Sequence, residues 1–213
     1  MSEKPIAYAL TTKNRVKDRI GITGSQFDTL IDRIIAAVTD IIESTCGRRF
    51  LRSDYSNEII TIFNNTQEII AVKNIPLVSV SLLQYRTGLN SNPNYTDFQT
   101  DNWEILEDGA SGLIRVWGLM HGGLNRGVNA IRISYTAGFL IDFNNAGDYT
   151  KHTLPFDLSD LAERLAVKMF KRRENEAKLT ETFEGGTVSW KKELIDDQDN
   201  DIMNGYKRLP QFV

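Results

Sequence analysis

Cysteine is almost missing from this sequence. Cys46 is the only one among 213 residues, so the chain cannot form an internal disulfide or build a zinc site from cysteines. It closes an apolar helical stripe, where we expect a small buried side chain and not a reactive thiol. A chain of this length can bury a core that is stable without disulfides or metals.

Long hydrophobic runs are also missing. No segment approaches the roughly 18–20 apolar residues that a membrane span requires. Residues 1–10 contain one lysine and a short, broken apolar stretch, which is not the pattern of a secretory signal. We therefore expect an intracellular, soluble protein without membrane contact.

Catalytic and metal-binding motifs are scarce. The two histidines, His121 and His152, lie in glycine-rich or polar segments without the spacing that places two ligands on one helix face. Residues 120–123 (Met-His-Gly-Gly) resemble an oxyanion segment of some esterases, but the Gly-x-Ser-x-Gly nucleophile elbow is missing. Phosphate-binding glycine loops are missing too.

An acidic triplet near the C-terminus is the remaining candidate metal site. Asp197, Asp199 and Asp201 have the spacing that opens a calcium loop, but Ile202 and Arg208 stand where that loop needs glycine and glutamate. We predict a solvated acidic segment there, and we predict no catalytic, cofactor-binding or metal-binding residues in the chain.

The charge is unevenly distributed. The net charge is −3. Residues 179–213 hold seven acids and four bases, so that segment carries the whole excess and residues 1–178 are neutral. A neutral body with an acidic tail does not favour general nucleic-acid coating, which requires a basic footprint.

Apolar residues recur with the helical period in three segments. The predicted helices span 12–20, 25–46 and 157–178. Thr11 and Thr12 can cap the first helix and Gly21 can end it. The second helix opens on Ser25 with Asp28 three positions later, which is similar to a capping box, and Gly47 can end it.

The segment 54–137 is rich in β-forming residues. We predict strands at Ile59–Phe63, Glu68–Val72, Val78–Tyr85, Trp103–Leu106, Leu113–Val116 and Ala130–Tyr135, separated by turn residues. In the last strand, apolar and polar residues alternate, as in a sheet with one wet face. The polar stretch Thr87–Asp101 predicts an extended loop.

The C-terminal residues 179–213 form the predicted extension. Gly185 and Gly186 indicate a turn, 187–190 a short strand and 202–209 one or two helical turns. The sequence therefore predicts an α+β fold. Residues 1–178 would be a helical core with an inserted antiparallel sheet, followed by an acidic extension for partner docking.

Several segments, in this order, resemble one family. They are Cys46-Gly47-Arg48-Arg49-Phe50 after the long helix, Asn74-Ile75-Pro76-Leu77-Val78-Ser79-Val80, Gly112-Leu113-Ile114, Ile131-Arg132-Ile133-Ser134-Tyr135-Thr136-Ala137-Gly138-Phe139, and Leu154-Pro155-Phe156-Asp157-Leu158. Together they resemble the head–tail connector (adaptor, or head-completion) proteins of tailed bacteriophages over about 11–174. The loops 87–101 and 143–153 are longer than the family's pattern.

The resemblance implies a structural role and no enzymatic activity. Family members form a ring, with about twelve subunits, that docks on the portal protein, extends the DNA channel and carries the tail or stopper protein. The location implied is the virion's head–tail junction, after assembly in the host cytoplasm. Docking residues would be Trp190, Tyr206 and Phe212. Subunit-interface or DNA-channel residues would be Arg48, Arg49, Arg164, Lys168, Lys171, Arg172 and Arg173.

Two other functions remain open on the sequence. The basic run between Arg164 and Arg173 could bind duplex DNA in an accessory protein, or it could be a solvated face or pair with acids of a neighbouring subunit. The docking aromatics could instead fold back on their own domain. A small hydrolase hidden in the long loops is the third hypothesis, although no nucleophile–base pair is visible.

Overall fold

The computed structural model describes residues 8–62, 67–87, 94–117, 127–173, 180–183, 186–189 and 194–207, and only the backbone of 127–129, 180–183 and 186–189. The chain divides into two compact units. The helical unit is formed by the described parts of Met1–Gly47 and Ile141–Lys207, and the β unit by those of Arg48–Leu140. The predicted α+β class, with helices and antiparallel sheets, is confirmed.

Helix α1 spans Lys13–Ile20, as predicted. The Oγ1 atom of Thr12 accepts a hydrogen bond from the backbone N–H of Arg15 at 3.4 Å, which satisfies one of the free donors of the first turn. Gly21 ends the helix with φ at 78°, in the left-handed region where glycine carries no Cβ penalty.

Helix α2 spans Asp28–Cys46, so the predicted start at Ser25 is wrong. Phe27 occupies the N-cap position without a side-chain cap. The carbonyl of Ser25 accepts the N–H of Asp28 at 3.1 Å, so the chain makes a separate turn before the helix begins. Gly47 ends α2 with φ at 69°, as predicted.

Helix α3 spans Phe156–Arg172 and helix α4 spans Asp197–Tyr206. The sequence predicted that this third helix ends at 178. The helix in the structure ends at Arg172, and residues 174–178 lie outside the described part. Helix α4 begins earlier than the predicted helical turns, since Asp196 and Asp199 form a reciprocal capping box. The C-terminal segment around α4 is thus part of the helical unit, whereas the sequence predicted an extension beginning at 179.

The core of the helical unit lies among its helices. The α2 stripe predicted from the sequence is largely buried, although Leu30 is exposed. The buried apolar side chains are Leu10, Val16, Ile31, Ile34, Ile35, Val38, Ile42, Cys46, Leu154, Leu158, Leu161, Ala162, Leu165, Ala166, Val167, Phe170 and Met203. Among the described residues, no helix is both long enough and apolar enough to cross a membrane.

The β unit contains seven of the strands. They are β1 (Ser53–Ile62), β2 (Ile69–Ala71), β3 (Leu77–Arg86), β4 (Tyr95–Asp97), β5 (Trp103–Ile105), β6 (Leu113–Val116) and β7 (Gly127–Ala137). Strand β4 and the first two residues of a 3₁₀ turn at Thr100–Asn102 fall inside the segment 87–101 predicted as a loop, so that prediction is wrong for those residues.

All ladders of the β unit are antiparallel. The strand orders are β1-β7-β3-β4 and β2-β6-β5. In β7 the side chains of Ile131, Ile133 and Tyr135 are buried, and those of Arg132 and Ser134 are more exposed, as the alternation predicted. Inward-facing residues of both sheets meet in one apolar core.

Gly109 lies in a tightly packed turn of the β unit. Its φ is 83°, and a Cβ placed there would lie 1.8 Å from the carbonyl oxygen of Leu77. The two preceding residues, Glu107 and Asp108, also have positive φ values, of 51° and 50°. The turn therefore approaches the start of β3 so closely that only glycine fits.

A separate hairpin precedes α4. It pairs β8 (Thr180–Phe183) with β9 (Gly186–Ser189) in antiparallel register. The sequence predicted a strand at 187–190 but not its partner β8. Residue Gly185 of the predicted turn and Trp190 lie outside the described residues.

Candidate functional site

The basic run of α3 is the largest group of candidate site residues in the structure. Lys168 binds two acids of α4, with its Nζ 2.8 Å from Asp196 Oδ2 and 2.6 Å from Asp199 Oδ2. Arg164 lies within ion-pair distance of Asp160, at 3.1 Å, and of Asp199, at 3.2 Å. We call Arg164, Lys168, Asp196 and Asp199 the α3–α4 charge cluster.

Asp199 is the buried member of this cluster. Its side chain is 0% exposed, so the prediction of a solvated acidic segment is wrong at this position. A carboxylate in such a place is stable only when cations and N–H donors replace its lost water. Helix α3 supplies both cations.

The cluster shifts the proton affinity of its members. The hydrogen bond from Lys168, together with the backbone N–H of Asp199, lowers the pKa of Asp196 to about 2. Burial alone would lower the pKa of Lys168, but its hydrogen bonds to Asp196 and Asp199 outweigh that effect and raise it. Both groups are therefore charged at neutral pH.

The end of the basic run lies against aromatic rings. The guanidinium of Arg173 lies 3.6 Å from the ring centroid of Phe170 and 4.8 Å from that of Phe27. One of its N–H groups donates to the carbonyl of Phe170 at 3.1 Å. Such stacking holds the cation through the ring quadrupoles. Of the two remaining cations, Arg172 is half-buried and Lys171 is exposed.

The two arginines after α2 have different surroundings. Arg48 is buried, and its guanidinium lies 4.8 Å from the ring centroid of Phe50. Arg49 is exposed, and its backbone N–H donates to Asn74 Oδ1 at 3.4 Å. Of the pair, Arg49 is the one that presents its charge at the surface.

Of the three predicted docking aromatics, Tyr206 alone lies in the described part of the chain. Its hydroxyl donates to Asp157 Oδ1 at 2.7 Å, at the start of α3, so this side chain folds back on its own helical unit. Trp190 and Phe212 lie outside the described residues, as does His121.

The two most exposed aromatic side chains among the described residues were not predicted as site residues. Tyr149 is 85% exposed and Phe156 is 76% exposed. Residue type and local spacing do not indicate that either side chain is exposed, because an aromatic residue at a helix start or in a loop can also lie in a core. Exposed aromatic side chains of this size are typical anchors of protein–protein contacts.

The loop that carries Tyr149 is internally bonded. His152 is buried, and its Nδ1 accepts the backbone N–H of Asp142 at 3.1 Å. The carboxylate of Asp148 accepts both the N–H and the hydroxyl of Thr150. Burial first, and then the charge of Arg15, lower the pKa of His152. The loop histidine is therefore a structural acceptor.

Tyr135 forms a partly buried polar junction in the β unit. The hydroxyl of Tyr135 donates to Glu58 Oε2 at 2.6 Å and accepts the backbone N–H of Asn74 at 3.3 Å. Burial, followed by the bond to Glu58, raises the pKa of Tyr135. The junction joins β1, β7 and the turn before β3. Across the described part of the chain, no group of three or more acidic, histidine or cysteine side chains could hold a metal ion.

The chain was compared with known proteins by family, by sequence and by fold. No family model matches it, and no curated protein matches it in sequence. A chain from the neck of an empty GTA particle, computed with C6 symmetry, matches with a TM-score of 0.55 and 15% identity, covering 100% of this chain and 95% of that one. A chain from the neck of the native GTA particle, computed with C12 symmetry, matches with a TM-score of 0.51 and 14% identity, covering 93% and 89%. GTA denotes a gene transfer agent. This protein therefore has the fold of these neck chains over its whole length.

Proposed function

We propose that this protein is a structural subunit of a head–tail connector ring in a tailed bacteriophage or a phage-like particle. The observation that carries the proposal is the likeness of fold to neck chains of GTA particles, which extends over the full chain. The resemblance of the sequence to connector proteins is independent of that likeness and implies the same role.

The segments that carry the resemblance have structural functions in this fold. Gly47 ends α2 where the helical unit gives way to the β unit. The segment 131–139 contains the C-terminal half of β7, the strand that pairs with both β1 and β3. The segment 154–158 opens α3. These residues end a helix, begin a helix or pair strands, so the resemblance at these positions supports a shared fold more than a shared reaction.

In this proposal, copies of the chain meet through two different surfaces that close into a ring. The ring docks on the portal protein, extends the DNA channel and carries the tail or stopper. The exposed side chains available for such contacts include Arg49, Lys171, Tyr149 and Phe156. Trp190 and Phe212 stay in the proposal as portal-docking residues.

The direct test is sedimentation velocity of the purified chain mixed with the portal protein encoded by the same genome. We expect a large, saturable shift of the portal boundary, and the bound ratio would count the subunits. If the chain is folded by circular dichroism and the portal boundary does not move at saturating concentration, the connector role is wrong.

The structure weakens the alternative of a DNA-binding accessory protein. Arg164, Lys168 and Arg173 contact acids or aromatic rings of their own chain, so the basic run is not an open stripe of charges. Binding through phosphate contacts would fall steeply with salt. Tight, salt-dependent binding of duplex DNA that is lost in Lys171→Ala would favour the accessory role instead.

A further inference from the structure

Helix α4 is attached differently from the longer helices α2 and α3. Helix α4 has 10 residues, and Met203 is its one fully buried apolar side chain. Helix α2 buries Ile31, Ile34 and Val38 among others. A helix this short is marginal by itself in water, so its docking surface must hold it in place.

Charged side chains form part of that docking surface. The α3–α4 charge cluster places the fully buried carboxylate of Asp199 between Lys168 and Arg164. The contacts of Arg164 have ion-pair distances but lack hydrogen-bond alignment, whereas Lys168 bonds to both Asp196 and Asp199. Lys168 is therefore the main link between the two helices.

Such a link is strong while complete and weak once a partner is lost. Removing one member of a buried ion pair leaves an uncompensated buried charge, which strongly destabilises the contact. Other contacts of α4 include the hydrogen bond from the Tyr206 hydroxyl to Asp157 and the approach of Cys46 Sγ to the Met203 carbonyl at 3.6 Å.

From these contacts we propose that α4 is a detachable strap. The whole of α4 separates from α2 and α3 in one step, while the rest of the helical unit stays folded. While docked, the strap occupies Lys168 and Arg164 with its own carboxylates and keeps these cations from other anions. When it detaches, both cations and the thiol of Cys46 become accessible. The inference does not depend on the proposed connector role.

The single cysteine is a built-in reporter. Cys46 is 2% exposed, and its Sγ lies 3.6 Å from the Met203 carbonyl of α4, so detachment of α4 would uncover this side of the thiol to a reagent. Under native conditions the labelling rate of the full-length chain measures the population of the detached state. Exchange of the backbone amides of α2 measures opening of the helical core in the same sample.

The test compares Lys168→Met with Lys171→Met. The first removes the link and the second removes a neighbouring exposed charge on the same helix. We expect Lys168→Met to accelerate Cys46 labelling about tenfold to a hundredfold, the lower value allowing for the partial exposure of Lys168. Lys171→Met should leave the rate unchanged. Amide exchange in α2 should not change in either variant.

A second variant works in the opposite direction. Gly205 lies in α4 with no atom within 4 Å of a Cβ placed there, so alanine fits. Gly205→Ala should stabilise the helix and slow labelling roughly twofold to fivefold. If labelling in the wild type follows α2 amide exchange, or if Lys168→Met labels at the wild-type rate, α4 is a fixed part of the core and the proposal is wrong.

Discussion

Different interactions hold the elements of the helical unit in place and the elements of the β unit in place. In the helical unit, ion pairs join one helix to another: Lys17 of α1 lies 2.9 Å from Asp28 of α2, Arg19 of α1 lies 2.7 Å from Asp160 of α3, and the α3–α4 charge cluster joins the last pair. In the β unit, Arg115 pairs with Glu104 at 3.1 Å, and these two residues lie on neighbouring strands of a single sheet.

The difference follows from the geometry of the elements. A strand is positioned by its ladder, because each backbone hydrogen bond fixes the register and a slip of one residue reverses every side chain. Two packed helices have no such ladder between them, and ridges fit grooves at more than one offset. Charges at chosen positions then specify how the helices align, and the stability of that unit becomes sensitive to pH and salt.

The largest effect is expected at the steric contact of the β unit. In Gly109→Ala, the new Cβ meets the Leu77 carbonyl at 1.8 Å with φ at 83°, and the turn cannot form without moving the start of β3. We expect a loss of about 4 kcal/mol or more in unfolding free energy. Chemical denaturation measures it. Gly147→Ala is the matched control, because no atom lies within 4 Å of its Cβ, and a similar loss in that control would contradict the account.

The buried hydroxyl of Tyr135 is the next target. Tyr135→Phe removes the donor to Glu58 Oε2 and the acceptor of the Asn74 N–H, and it should destabilise the β unit by about 1–3 kcal/mol. The raised pKa adds a pH test. A tyrosine with a higher pKa when folded holds its proton longer than in the unfolded chain, so stability is intact below pH 10 and falls above it. Thermal melts from pH 8 to 11 should show that decline in the wild type and a smaller one in Tyr135→Phe; equal slopes would contradict the assignment.

Acid should act on the helical unit first. The pKa values of Asp28, beside Lys17, and of Asp196, beside Lys168, are lowered when the chain is folded. A carboxyl with a lowered folded pKa stabilises the native state above its unfolded value, and this contribution is lost as pH falls from about 4 toward 2. As the pH is lowered, the amide protection factors of α2 and α4 should therefore decrease at a higher pH than those of β7. The reverse order would show that the charges do not hold the helices.

The smallest effect is expected at the surface pair of α1 and α3. Arg19 lies 2.7 Å from Asp160 and 3.2 Å from Glu163, but more than a third of its side chain is exposed. Arg19→Met should cost less than about 1 kcal/mol, and the difference should shrink in high salt. Denaturation at two salt concentrations measures this. A loss above that of Tyr135→Phe would mean that exposed pairs matter more than this account allows.

The sequence predicts the elements whose signals are local. The 3.6-residue period and Gly47 locate the body and end of α2, and the alternation of Ile131, Arg132 and Ile133 identifies β7 and its wet face. These signals depend on neighbours in sequence, so they survive without knowledge of the fold. The start of α2 was misplaced because Ser25 and Asp28 have the spacing of a cap, yet Ser25 uses its carbonyl in a turn.

Features that depend on distant partners could not be predicted. Asp199 belongs to a run of acids, which indicates a solvated segment, and its burial depends on Lys168, 31 positions earlier in the chain. The same contact removes Lys168 from the surface charges on which the DNA-binding hypothesis depended. The exposure of Tyr149 and Phe156 is likewise a property of the packed unit and not of the residue type.

Electron microscopy of the chain mixed with the portal protein encoded by the same genome tests the proposed connector role most directly. Averaged images of the purified complex should show a closed ring of this protein that is coaxial with the portal. The number of copies in the ring should equal the order of its rotational symmetry. Images of a bare portal, or of single copies attached without a ring, would contradict the assignment of this protein as a connector subunit.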